Sequence, residues 1–245
     1  MKRTYLILFI FLFASVNLYS QIGISIGPLL GISTPTIDYT GDASDFYDGT
    51  KYGMRTGLCY GVLGKVTIGP INGRLSFSYS TLDNNGVADK TKPNSSVEIK
   101  NNLLIIGVGT EFGMGIPKSP VKPYIGIELL FSSISGSFRF QGTPNINSSN
   151  TNSIQSSSRT GLGLILGADI SLMGVTRLDL SLRYNLINLF GKDYVTTNNP
   201  DRIVAYSNLN DAKDPNYKAG DDKHPIGNDR SIATIQVQVA ILFGF

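Results

Sequence analysis

Residues 231–245, S-I-A-T-I-Q-V-Q-V-A-I-L-F-G-F, alternate in character with a period of two. Ile235, Val237, Val239, Ile241, Phe243 and Phe245 share one parity; Thr234, Gln236, Gln238, Ala240 and Gly244 share the other. Successive side chains of a strand point to opposite faces, so this segment predicts a strand with one wholly apolar face and one small or polar face. The apolar face needs either a packed sheet or lipid against it. The last strand of an antiparallel sandwich and a lipid-facing strand both meet that need.

The same period recurs upstream, over 22–33, 56–68, 74–81, 99–112, 124–140, 160–172 and 177–186. Most of these segments are near the ~9–11 residues that a tilted membrane-spanning strand requires. In the seventh, Leu178, Leu180, Leu182, Tyr184 and Leu186 oppose Arg177, Asp179, Ser181, Arg183 and Asn185. Pro28 interrupts the first, and proline is confined to sheet edges and bulges. The connections alternate in length. Those at 69–73, 113–122 and 173–175 are short and rich in Gly or Pro, as tight turns require. Those at 34–55, 83–98, 141–158 and 191–230 are long and polar. A sandwich has no reason to put every long loop at one end, whereas membrane barrels alternate short periplasmic turns with long outer loops. No stretch after Gln21 is long and apolar enough for a helical span, so membrane residence requires a closed barrel. The expected fold is all-β: an eight-stranded antiparallel up-and-down transmembrane barrel.

Lys2 and Arg3, an apolar run over 5–13 and small residues up to Ser20 fit a secretory signal. Cleavage is expected after Ser20, leaving 21–245 as the barrel domain. The formal charge of +3 then falls close to neutral, which gives no basis for a nucleic-acid partner. Cys59 is the only cysteine, so there is no internal disulfide, and a small strand residue is the expected role.

The inward parity is mostly Gly and Ser with charges at Lys65, Arg74, Glu111, Glu128, Asp169, Arg177, Asp179 and Arg183. The interior of an eight-stranded barrel is just wide enough for side chains to fill. Charges buried there must be paired, at a cost of several kcal/mol otherwise. The expectation is a lumenal ion-pair network joining Glu111, Glu128 and Asp169 to Lys65, Arg177 and Arg183, in a non-conducting core. Outward Tyr60, Tyr79, Phe112, Phe131, Tyr184, Phe243 and Phe245 would form the interface girdles of a chain without Trp.

His224, the only histidine, lies in A-G-D-D-K-H-P-I-G-N-D with Asp221, Asp222 and Ser231 nearby. A nucleophilic triad is recognised by geometry and not by nearness in sequence, and a solvated loop histidine is the expectation. Asp38, Asp42, Asp45 and Asp48 lack the EF-hand spacing, and the glycine pairs 107/109 and 161/163 lie within strands with no helix following. No catalytic, metal or cofactor site is expected.

With its signal-like start, strand count, loop alternation, terminal Phe245 and the segment P-Y-I-G-I-E at 123–128, the chain resembles the small outer-membrane barrels of the OmpA/OmpX type, and more closely the PorT-like outer-membrane β-barrel proteins. The resemblance implies the bacterial outer membrane, contact with its lipids, and recognition of Val239, Ile241, Phe243 and Phe245 by the barrel assembly machinery. It implies a non-enzymatic structural or surface-interaction role carried by the long loops. The alternative it implies is an accessory subunit of a secretion or assembly complex, binding a protein partner through the loops or the barrel wall. A lipid-modifying enzyme centred on His224 is the least favoured reading.

Overall fold

The computed structural model describes residues 23–69, 71–115, 117, 119–143, 146, 150–198, 201–221 and 223–244; the expected signal segment and Phe245 lie outside them. The strands are β1 (Gly23–Ile37), β2 (Gly57–Ile68), β3 (Ile71–Gly86), β4 (Ser96–Gly113), β5 (Val121–Gln141), β6 (Asn152–Ser171), β7 (Thr176–Phe190) and β8 (Ile232–Gly244). Each pairs with the next and β8 closes onto β1, giving an eight-stranded closed antiparallel barrel. Two short helices, α1 (Ala43–Tyr47) and α2 (Arg202–Tyr206), sit in the first and last long connections. Among the described residues no helix is long and apolar enough to cross a membrane. Pro28 remains within β1, opposite Val62 of β2, while the pairing of β1 with β8 skips Gly27 and Pro28. The residue without an N–H thus sits where the ladder is interrupted.

The outward parity is apolar around the wall. Ile24, Leu30, Leu58, Tyr60, Leu75, Phe112, Ile125, Phe131, Leu166, Leu182, Val239, Ile241 and Phe243 are all exposed. The strands run from 12 residues in β2, about the length needed to cross a bilayer, to 21 in β5, well beyond it. The segments 83–98 and 141–158, expected as loops, are therefore strand at 83–86, 96–98, 141 and 152–158, and the connections shrink to 87–95 and 142–151. Likewise Ile71 already belongs to β3, which shortens the turn expected at 69–73. The reason is a phase inversion. On β4, Ile106, Val108 and Phe112 point out, but above Leu104 the apolar residues Val97, Ile99 and Leu103 point in while Glu98 and Lys100 point out. A strand that leaves the membrane stays paired but exchanges its apolar face.

Near the top of β7 the register shifts: Thr160 pairs with Phe190 and Leu162 with Leu186, so residues 187–189 oppose Gly161 alone. This bulge turns both Ile187 and Asn188 inward, where both are buried. Gly161 permits it, because a Cβ there would lie 1.8 Å from the Leu186 carbonyl oxygen. Gly161→Ala is expected to cost about 1–3 kcal/mol through overpacking and to displace Asn188, read as a lower urea midpoint of the folded barrel.

Candidate functional site in the lumen and its extracellular cap

The barrel interior has two chemistries stacked along its axis. The half near the short turns is ionic. Lys65 and Arg74 are cross-strand neighbours, as are Asp169 and Asp179. Like charges set side by side destabilise a sheet, and here each pair is neutralised across the lumen by the other side. Lys65 Nζ lies 2.9 Å from Glu111, 2.9 Å from Asp169 and 2.6 Å from Asp179. Arg74 pairs with Glu111 and, through Nε at 2.9 Å, with Glu128. Arg183 pairs with Glu128 from the opposite wall. The Tyr124 hydroxyl donates to Asp179 at 2.6 Å, and its ring lies 4.2 Å beneath the Lys65 ammonium. The network ties β2 through β7 together across the interior.

Five of the six residues expected in this network are brought together: Lys65, Glu111, Glu128, Asp169 and Arg183. Arg177 is not among them. It stands at the second position of β7, at the barrel rim and half-buried, and no ion pair within the described residues includes it. One alternation further along β7 carries Asp179 inside while leaving Arg177 at the rim. Arg74 and Asp179, inward on parity alone, complete the network instead. Of the expected assembly residues, Val239, Ile241 and Phe243 line the outer face of β8.

Above this layer a smaller polar one, with Gln236 and Gln238 bonded to each other and Gln236 to Ser33, spans β8 and β1. The outer half of the interior is apolar. Leu103, Ile105, Leu130, Ile134, Phe138 and Ile187 are fully buried and join one core with residues of the loops. The segment 191–230, whose order the sequence leaves open, folds back over the barrel. Tyr206 of α2 meets Phe46 of α1 at 4.8 Å between ring centroids and Phe140 of β5 at 5.5 Å. The Arg230 guanidinium lies 4.1 Å over the Tyr52 ring, and the Tyr52 hydroxyl donates to the Leu209 carbonyl.

One carboxylate pins this cap to the wall. Asp211, fully buried, accepts two 2.7 Å bonds from Arg159 of β6, one from Asn188 of the β7 bulge and one from its neighbouring Asp193 N–H. Asn188 in turn donates to the Arg230 carbonyl and accepts from the Ile232 N–H. The bulge and the latch are one device.

His224 is not a free loop histidine. Its Nδ1 is 2.7 Å from buried Asp214, which also accepts from the Tyr194 hydroxyl and the Asn216 N–H. Ser231 is turned elsewhere, its hydroxyl to Lys192 and its N–H to Asp38. The Asp45 carboxyl accepts from the Asp42 N–H at the start of α1. Among the described residues no three His, Cys, Asp or Glu side chains gather as metal ligands would.

Burial opposes ionisation of Asp211, but the bonds from Arg159, Asn188 and Asp193 outweigh it and hold its carboxyl below the usual range. Asp214 is lowered too: burial again opposes, and the bonds from Tyr194, Asn216 and His224 prevail. A carboxyl with a depressed folded-state pKa stabilises above the ordinary range, near pH ~3.9 for Asp. That contribution is lost as the pH falls through the folded value. Proteolysis within 191–230 of the folded protein is therefore expected to accelerate as the pH falls below about 4. A flat profile through that window would contradict the latch.

A family model described as "Opacity family porin protein" matches residues 72–207. No curated protein matches the chain. Among solved structures, neisserial surface protein A is 15% identical, with 91% of this chain and 97% of that one covered and a TM-score of 0.49. The outer membrane protein OprG of Pseudomonas aeruginosa is 10% identical, with 92% and 97% covered and a TM-score of 0.47. A major outer membrane protein of Thermus thermophilus is 13% identical, with 92% and 100% covered and a TM-score of 0.48.

Proposed function

The chain belongs to the Opacity family of porin proteins, outer-membrane barrels, and we propose that it is a non-conducting, non-enzymatic member whose extracellular cap is its working surface. The observation that carries this reading is the filled interior. A buried ion-pair network occupies one half, an apolar core the other, and the cap is latched over both through Asp211. An ion crossing such a barrel would have to break paired charges and then enter hydrocarbon-like packing, and each step costs several kcal/mol. The loops contain more ordered structure than strand closure needs, which supports a contact role for them. The family match does not favour the alternative of an accessory secretion subunit.

The test is conductance of the folded protein in planar bilayers. Heat-modifiable protein that inserts without steady current fits the proposal. Stable unitary steps from the folded species would overturn it and make the lumenal charges a selectivity lining.

A further inference from the structure

The lobe 213–229 of the cap is built around a buried carboxylate. Asp214 is fully buried. It accepts from the Tyr194 hydroxyl, the Asn216 N–H and His224 Nδ1, while its own N–H bonds to the Ile226 carbonyl. Burying a carboxylate is costly unless it is well bonded, and a solvated loop needs none. What this carboxylate achieves is orientation. With Nδ1 held at 2.7 Å by Asp214, the His224 ring is fixed. Its other nitrogen, Nε2, bonds to no described residue.

His224 lines a groove of about 420 Å³ together with Pro215, Asn216, Tyr217, Lys218 and Asp221. Two successive turns shape it, closed by bonds from the Tyr217 N–H to the Asp214 carbonyl and from the Asp221 N–H to the Lys218 carbonyl. Tyr217 is 39% exposed, and its ring is seated against Gly227, where a Cβ would lie 2.6 Å from a ring carbon. The Asn216 amide, the Lys218 ammonium and the Tyr217 hydroxyl bond to no described residue, and Asp221 uses one carboxylate oxygen on the Lys223 N–H. The lining charges balance, Lys218 against Asp221 and His224 against Asp214, so the groove selects neither an anion nor a cation. Only Pro215 and the Tyr217 ring are apolar, too little to hold an aliphatic chain. An aromatic ring among convergent, unused donors and acceptors matches one class of ligand. A neutral hexose lays a C–H face on such a ring, and each of its hydroxyls both donates and accepts.

We propose that this groove binds a neutral hexose unit of a surface glycan, with the sugar ring on Tyr217 and its hydroxyls bonded to Asn216, Asp221 and His224 Nε2. Asp214 is a positioning residue, holding His224 and the turn at Asn216 in place for the sugar. The proposal rests on the reading of the cap as the working surface and gives that surface a ligand class.

The test uses full-length, heat-modifiable protein in a detergent without a sugar headgroup, and saturation-transfer NMR with the methyl glycosides of glucose, galactose and mannose. At least one is expected to receive saturation, and more of it than methyl glucuronoside, the charged counterpart. Tyr217→Ala and Asn216→Ala are each expected to weaken that binding at least ten-fold. Val87→Ser, exposed in another outer connection, is expected to leave it unchanged. Should Tyr217→Ala open 191–230 to protease, Asn216→Ala decides, because its side chain bonds to no described residue. Displacement of the hexose by the producing cell's own surface polysaccharide places the ligand on the same envelope, and no displacement places it on another surface; both uphold the site. Three results would each overturn it: no saturation of any of the three glycosides, equal or greater saturation of the glucuronoside, or wild-type binding in Asn216→Ala. Steady current through protein that still binds the hexose would remove the closed-lumen reading and leave this site standing. Non-conducting protein that binds no hexose would do the reverse.

Discussion

Lys65→Met is expected to destabilise the folded barrel by about 3–5 kcal/mol, the cost of removing one partner from a buried charge network. Among the described residues the ammonium is the only group that touches Glu111, Asp169 and Asp179 together. Without it, three carboxylates converge in a water-poor interior with Arg74 as their one remaining cation. Adding Asp169→Asn and Asp179→Asn to Lys65→Met is expected to recover most of the loss, because the excess charge goes with them. The urea midpoint of the heat-modifiable band in lipid vesicles reads both results. Arg139→Ala provides the contrast: its pair with Glu98 is solvent-exposed, and exposed pairs contribute only about 0–1 kcal/mol. If Lys65→Met unfolds at the wild-type midpoint, charge pairing is not what holds the ionic half.

Asp211→Ala is expected to free the cap while the barrel stays closed around its strands. The substitution leaves the Arg159 guanidinium without its carboxylate and removes the acceptor of the Asn188 amide, both of them buried. Breaking a buried pair in this way costs about 3–5 kcal/mol, comparable to the whole stability of a small ordered unit. Protease added outside intact vesicles should then cut within 191–230 far faster than in wild type, with heat-modifiable migration of the core retained. Loss of the heat-modifiable band altogether would mean that the cap and barrel fold as one unit.

The membrane-spanning part was legible because lipid and a narrow lumen impose one strict alternation, and every strand carries it there, as in Leu178 to Leu186 of β7. Above the membrane that rule reverses. Residues 96–103 and 132–141 keep a period of two with the apolar face turned in, so the outward apolar residues stop at Leu104 and Phe131 although the alternation itself runs on to Ile99 and Phe140. The ionic layer was legible as a set of inward charges but not as a set of pairs. Arg177 and Asp179 share a parity, and only their height in the barrel separates a rim residue from a network residue. The latch left no local signal. Asp211 lies in a polar loop and Arg159 in a run of serines, and Asn188 reaches them only because a bulge opposite Gly161 turns it inward. Pairing set by tertiary register is invisible to periodicity.

Cys59 offers the most direct test of a closed lumen, since it is the only cysteine, faces inward on β2 and is 1% exposed. The folded wild-type protein in vesicles is treated with a charged, membrane-impermeant maleimide. A filled interior predicts no labelling of the heat-modifiable species and complete labelling once it is boiled. Prompt labelling of the folded species would show a water-filled path to the middle of the barrel and would contradict the account.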